Sequence, residues 1–159
     1  MSGFKLAMTK FWVKILCPIW SFIINCFYWL FKLNKISAAK DKMNKLLALP
    51  LVNVMHQFKW RDDNFKDWYP WIITIVDKNL EDDCDGAAVL AKWWLKENSI
   101  SSRLVFIYSS DGKDGHAVCV SIDNTILVSN REVIDLDFTN WRQDLFNKFD
   151  NKYSVIIEK

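Results

Sequence analysis

A chain of 159 residues with 51% hydrophobic content can close one ordinary domain over a real core, which excludes a largely disordered protein. Its formal net charge of +2 divides unevenly, because Met1 to Lys45 holds eight lysines against Asp41 alone and the remainder is left near −5. The folded part therefore lacks the clustered Lys and Arg that phosphate tracking needs, and nucleic-acid binding is not expected. Cys17, Cys26, Cys84 and Cys119 form no Cys-x-x-Cys pair, and His56 and His116 are the only imidazoles. A zinc centre, a disulfide framework and a cofactor are accordingly not expected.

In chain order, Met1 to Lys14 is short, basic and weakly amphipathic. Ile15 to Phe31 then runs 17 residues without a charge, interrupted by Pro18, Ser21 and Asn25. That is the lower limit of the about 17 to 25 apolar residues that cross a bilayer. Trp12, Trp20, Tyr28 and Trp29 near its ends suit an interfacial belt. The expectation is a membrane anchor. The alternatives are a signal sequence cleaved near Ser37-Ala38-Ala39, and a hydrophobic helix or pair broken at Pro18 that packs on the C-terminal domain. Lys32, Lys35, Lys40, Lys42 and Lys45 favour a cytoplasmic place for that domain. Two parts are expected, residues 1–45 as hydrophobic anchor and basic linker and residues 46–159 as the folded domain.

Leu46 to Met55 is an apolar entry segment around Pro50, and His56 beside it reads as structural. Phe58 to Tyr69 mixes aromatics and aspartates and is closed by Pro70, the pattern of a loop able to cover a site. Trp71 to Leu80 has helical apolar spacing and leads into Glu81-Asp82-Asp83. Cys84 comes next, where a loop becomes a helix. Unpaired backbone N–H groups and the positive end of the helix dipole there favour a thiolate, while Asp82, Asp83 and Asp85 act against it. Gly86, Ala87 and Ala88 let the first turn approach a facing sheet. The helix is apolar nearly all round to Leu95 and ends near Asn98, a residue suited to a left-handed cap.

Three strands are expected next. Ser102 to Tyr108 is apolar on both faces, as in an inner strand of a covered sheet. His116 to Ile122 and Thr125 to Ser129 flank a turn at Asp123-Asn124. Alternation puts His116, Val118 and Val120 on one face and Ala117 and Cys119 on the other. A turn centred on Asp123-Asn124 would set residue 118 opposite 129 and bring Ser129 to the His116 face; a one-residue slip would bring Asn130 instead. Phe138 to Phe149 reads as a helix and Tyr153 to Ile157 as a closing strand. Helices first and an antiparallel sheet afterwards make an α+β arrangement.

Taken together, Asp83-Cys84-Asp85-Gly86-Ala87, the helix after it, Ser101-Ser102-Arg103-Leu104-Val105 and Gly115-His116-Ala117-Val118 resemble the transglutaminase-like cysteine proteinases, relatives of the papain-like peptidases. Phe58-Lys59-Trp60-Arg61-Asp62-Asp63 and Asp67-Trp68 match the family's upstream aromatic and acidic positions. The resemblance covers roughly Gln57 to Asp135. It implies a central helix carrying the cysteine, packed on an antiparallel sheet, and a thiol-dependent amide hydrolase with Cys84 as nucleophile and His116 as its base. Where the family commonly shows an Asp-Asn pair, this chain has Ser129-Asn130. A papain-type Cys-His-Asn set using Asn130 is expected, with Asp135 and Ser129 as the other candidates. The resemblance also implies that Trp68 and Asp85 border the substrate groove. A protein or peptide substrate is expected. Transamidation, peptidoglycan cleavage and a catalytically silent, membrane-anchored binding module are the alternatives.

Overall fold

The computed structural model describes residues 3–61, 70–136 and 139–158. The architecture is mixed α+β, with a five-stranded antiparallel sheet and an N-terminal apolar helix. That helix has three pieces, α1 (Gly3–Phe11), a π-helical turn (Trp12–Leu16) and α2 (Cys17–Leu30). Pro18 does not break it. The ring lacks one ladder N–H, and the π turn just before it is where the hydrogen-bond pattern changes.

Residues Ala7–Leu30 are long and apolar enough to cross a membrane. Yet Val13, Cys17, Ser21, Asn25 and Trp29 recur at every fourth position and are all buried, forming one stripe along the helix. The interruptions in the apolar run thus belong to an interface. Asn25 Oδ1 accepts from the Trp71 backbone N–H at 2.8 Å and from Thr74 Oγ1 at 3.0 Å, and Trp29 Nε1 donates to Thr74 Oγ1 at 2.8 Å. Lys32 and Tyr28 both bind Asp77, at 3.0 and 2.7 Å. Asn25→Ala removes one acceptor from two donors, and the Thr74 side of that bond is fully buried. We expect a loss of about 2 kcal/mol, seen as a lower urea midpoint with an unchanged denaturant slope.

After a 3-10 turn come α3 (Ile36–Leu47) and α4 (Leu51–Gln57), the latter entered from Pro50. The short strand β1 (Lys59–Trp60) pairs in parallel with β2 (Glu81–Asp82), and α5 (Ile72–Asp77) lies between them in sequence. This small ladder sits directly before α6 (Cys84–Glu97) and fixes where that helix begins. At the other end Ser99, at φ 63°, takes the left-handed conformation expected of Asn98. Ile100 N–H then reaches back to Leu95 O at 2.8 Å.

The sheet consists of β3 (Ser102–Tyr108), β4 (Gly115–Ser121), β5 (Ile126–Ser129), β6 (Glu132–Asp135) and β7 (Val155–Glu158), in the order β6-β5-β4-β3-β7. β6 is a fourth strand after the three expected in succession from Ser102. Helix α7 (Trp141–Lys148) precedes β7. Strand alternation divides the core in two. Leu104, Phe106, Ala117, Cys119 and Val128 pack with Ala87, Leu90 and Ala91 of α6. Val105, Ile107, Val118, Val120 and Leu127 pack with Trp141 and Leu145 of α7. The α6-side core also takes in Val13, Trp29, Ala39 and Leu46, so residues on both sides of position 45 share it.

Candidate active site

Cys84 is the first residue of α6, and three neighbours hold it there. Asp83 caps the helix, its carboxylate accepting the Asp85 N–H at 2.9 Å while its carbonyl accepts the Ala87 N–H at 3.1 Å. Buried Asp82 accepts the Asp83 N–H at 3.1 Å and lies 3.5 Å from Lys78 Nζ. Gly86 faces Asp82 so closely that a Cβ on it would stand 2.4 Å from Asp82 Cβ. The glycine is therefore a packing requirement.

The sulfur at this helix start does not rest as a thiolate. Burial, then the charges of Asp85 and Asp83, push the Cys84 thiol from 9.0 up to about 12. The N–H groups of Ala117 and of Cys84 itself are directed at the sulfur and oppose that shift without overcoming it. Asp85 is buried rather than turned to solvent, and its charge adds to the upward shift at the sulfur. The Asp85 N–H, a candidate for meeting an oxyanion, is already taken by Asp83.

His116 is the second residue of β4, one position before the Ala117 N–H that faces the thiol. Its Nε2 lies 2.9 Å from Ser129 Oγ. The ring stacks on Tyr153 at 6.3 Å with an 18° interplanar angle and meets the edge of Phe149 at 5.2 Å. Burial, aided by the Lys152 charge, lowers the imidazole from 6.5 to about 4. The resting pair is therefore a neutral thiol and a neutral imidazole. No hydrogen bond joins them among the described residues. Burial raises the Tyr153 phenol; Lys152 opposes this, and Asp114 and Cys84 add to it, so the thiol lies within electrostatic reach of the ring that stacks on His116.

The β4–β5 register explains the third position. Cys119 stands opposite Val128 and Val120 opposite Leu127. Continued outward, this sets 118 against 129 and turns Ser129 to the His116 face. Asn130, the expected orienting residue, comes after the strand with φ 49° in the turn into β6, and its buried Oδ1 has no partner among the described residues. The hydrogen-bond partner of His116 is Ser129 in its place. Asp135 stands opposite Ile126, at the other end of β5 from Ser129. Asp62, Asp63, Asp67 and Trp68 lie outside the described residues. Phe149 and Tyr153, which clasp the imidazole, were missed by sequence reasoning, since their segment carries only the apolar pattern of scaffold.

Asp83, Cys84 and Asp85 bring one potential ligand atom each within 4.8 Å of one another. All three come from one short segment, and two of the three atoms are carboxylate oxygens. His56 is exposed, and its carbonyl accepts from Arg131 at 2.8 Å. It borders a cavity of about 900 Å³ with Lys45, Lys59, Trp60 and Arg131, whose described lining includes neither Cys84 nor His116.

No family model matches the chain, and no curated protein matches it. Among solved structures the chain is similar to calcium-bound LapG of Legionella pneumophila, with a TM-score of 0.44 and 13% identity. The match covers 64% of this chain and 63% of that one, so this chain spans less than two thirds of that structure's length.

Proposed function

We propose that the chain is a thiol-dependent amide hydrolase of the transglutaminase-like, papain-like kind, working at a membrane with its folded domain on the cytoplasmic side. The observation that carries this reading is the contact between His116 Nε2 and Ser129 Oγ at 2.9 Å, on a strand whose next N–H faces the Cys84 sulfur. With Nε2–H donating to Ser129, the unprotonated Nδ1 is left as the base. Cys84 Sγ attacks the amide carbon as its proton passes to His116, so the C–S bond forms and a thiolate need not accumulate beforehand. The imidazolium returns that proton to the departing amine as the C–N bond breaks. Water, deprotonated by the same imidazole, then releases the acid and restores the thiol. Protein or peptide amides are the substrate class.

A silent binding module with the same fold is the second reading. It is favoured by a thiol held at about 12 with no hydrogen bond to the imidazole among the described residues. Cleavage of a mixed peptide pool by the full chain, followed by mass spectrometry, separates the two. Hydrolysis should be absent in Cys84→Ala and reduced roughly tenfold in Ser129→Ala, equivalent to about 1.4 kcal/mol of transition-state stabilisation. Products formed equally by wild type and Cys84→Ala would reject the hydrolase.

A further inference from the structure

The N-terminal helix is tied to the domain from Val13 to Trp29. Near its C-terminal end, Asn25 and Trp29 bond to α5. Toward its N-terminal end, Val13 is buried in the α6-side core, and Lys10 and Lys14 line a cavity with Phe146, Ile156 and Ile157 of the α7–β7 end. A helix that crosses a bilayer must leave its soluble domain. This one could not do so without breaking the stripe of contacts from Val13 to Trp29.

Its opposite side is apolar and bare. Phe11, Ile19, Phe22, Phe27, Leu30 and Phe31 are each at least 51% exposed. At 100° per residue, Ile19, Phe22, Phe27 and Leu30 span about 140° of α2, a broad convex apolar surface. Exposed Lys10 and Lys14 lie toward one end, with Lys35 and Lys40 beyond the other. Cations bordering a broad aromatic and aliphatic face complement an anionic lipid surface.

We infer that this helix lies in the plane of the membrane, its outer face sunk among anionic lipids and its inner stripe holding the domain against the surface. Both helix ends are then on the domain's side. The inference rests on the proposed membrane association and refines it from crossing to lying flat; it does not depend on hydrolysis.

The test uses the full chain carrying Lys5→Cys or Asn34→Cys, on sealed vesicles of phosphatidylcholine and phosphatidylglycerol with the domain outside. A membrane-impermeant maleimide is added, and labelled positions are read by peptide mapping, which separates the new thiol from the four native ones. Both introduced thiols should label as fully as after detergent. Labelling of Lys5→Cys only after detergent would mean that the helix crosses and would overturn the inference, leaving membrane association intact. A chain that fails to float with the vesicles would overturn both. In addition, the pair Ile19→Asn and Phe27→Asn should weaken flotation at least tenfold while leaving thermal unfolding unchanged in detergent-free buffer; unchanged flotation would also contradict it.

Discussion

Gly86→Ala is expected to destabilise the fold by about 3 kcal/mol, the top of the usual range for overpacking. The new methyl would stand 2.4 Å from Asp82 Cβ and 2.7 Å from its Cγ, separations that real side chains do not reach. Asp82 cannot step aside cheaply, because it is 3% exposed and its carboxylate holds both the Asp83 N–H and Lys78. Relief must come from moving the first turn of α6, which carries Cys84. Gly115→Ala is the contrast. There the new Cβ would be 2.8 Å from Tyr108 Cε1, the far part of a half-buried side chain rather than a Cβ, and a cost of about 1 kcal/mol is expected. Urea unfolding of the two variants should rank them in that order. Equal midpoints would show that the α6 start is not locked against β2.

Stability should fall on both sides of a plateau between about pH 6.5 and pH 9. His116 titrates at 6.5 when unfolded and at about 4 when folded. Between those values the unfolded chain binds the extra proton, so stability present above pH 6.5 is lost as pH falls to 4, by about 3 kcal/mol in all. Cys84 acts at the other end. Its unfolded thiol ionises above 9.0, whereas the folded thiol holds its proton to about 12, so the unfolded state gains as pH rises through that interval. His116→Phe should remove most of the acid slope between pH 6.5 and 4, since no proton is then gained at that position on unfolding. An unchanged slope in that variant would assign the acid limb to other groups.

The helix start at Cys84 was legible because Asp83 is a good cap and the small residues after it permit close packing. The paired faces of β3 and β4 were legible from alternation, which also places Cys119 with the α6 core rather than with His116. The hairpin register sets Ser129 opposite Val118 and so on the His116 face, where it contacts Nε2, whereas the expected papain-type set names Asn130. Local sequence says nothing of a two-residue parallel ladder such as β1–β2, since its hydrogen bonds join residues twenty-one apart and only the fold brings them together. The state of the thiol was hidden for a related reason. A helix dipole can be read from a cap, but the burial that outweighs it depends on everything packed above the sulfur. The N-terminal segment teaches the reverse lesson: Ser21 and Asn25 weaken an apolar run, and their four-residue spacing with Cys17 and Trp29 is the signature of a docked face.

The central claim is that His116 serves the Cys84 thiol. The rate of iodoacetamide alkylation at Cys84, followed by peptide mapping between pH 5 and pH 9 on the full chain and on His116→Ala, tests it most directly. Because the resting thiol is protonated, labelling near pH 7 must depend on the imidazole taking the proton as the sulfur reacts. The predicted result is a wild-type rate at least about tenfold above that of His116→Ala at neutral pH. Equal rates in the two chains, both slow and rising only in alkali as for a lone buried thiol, would contradict the claim and leave a cysteine and a histidine that share a strand end without sharing a reaction.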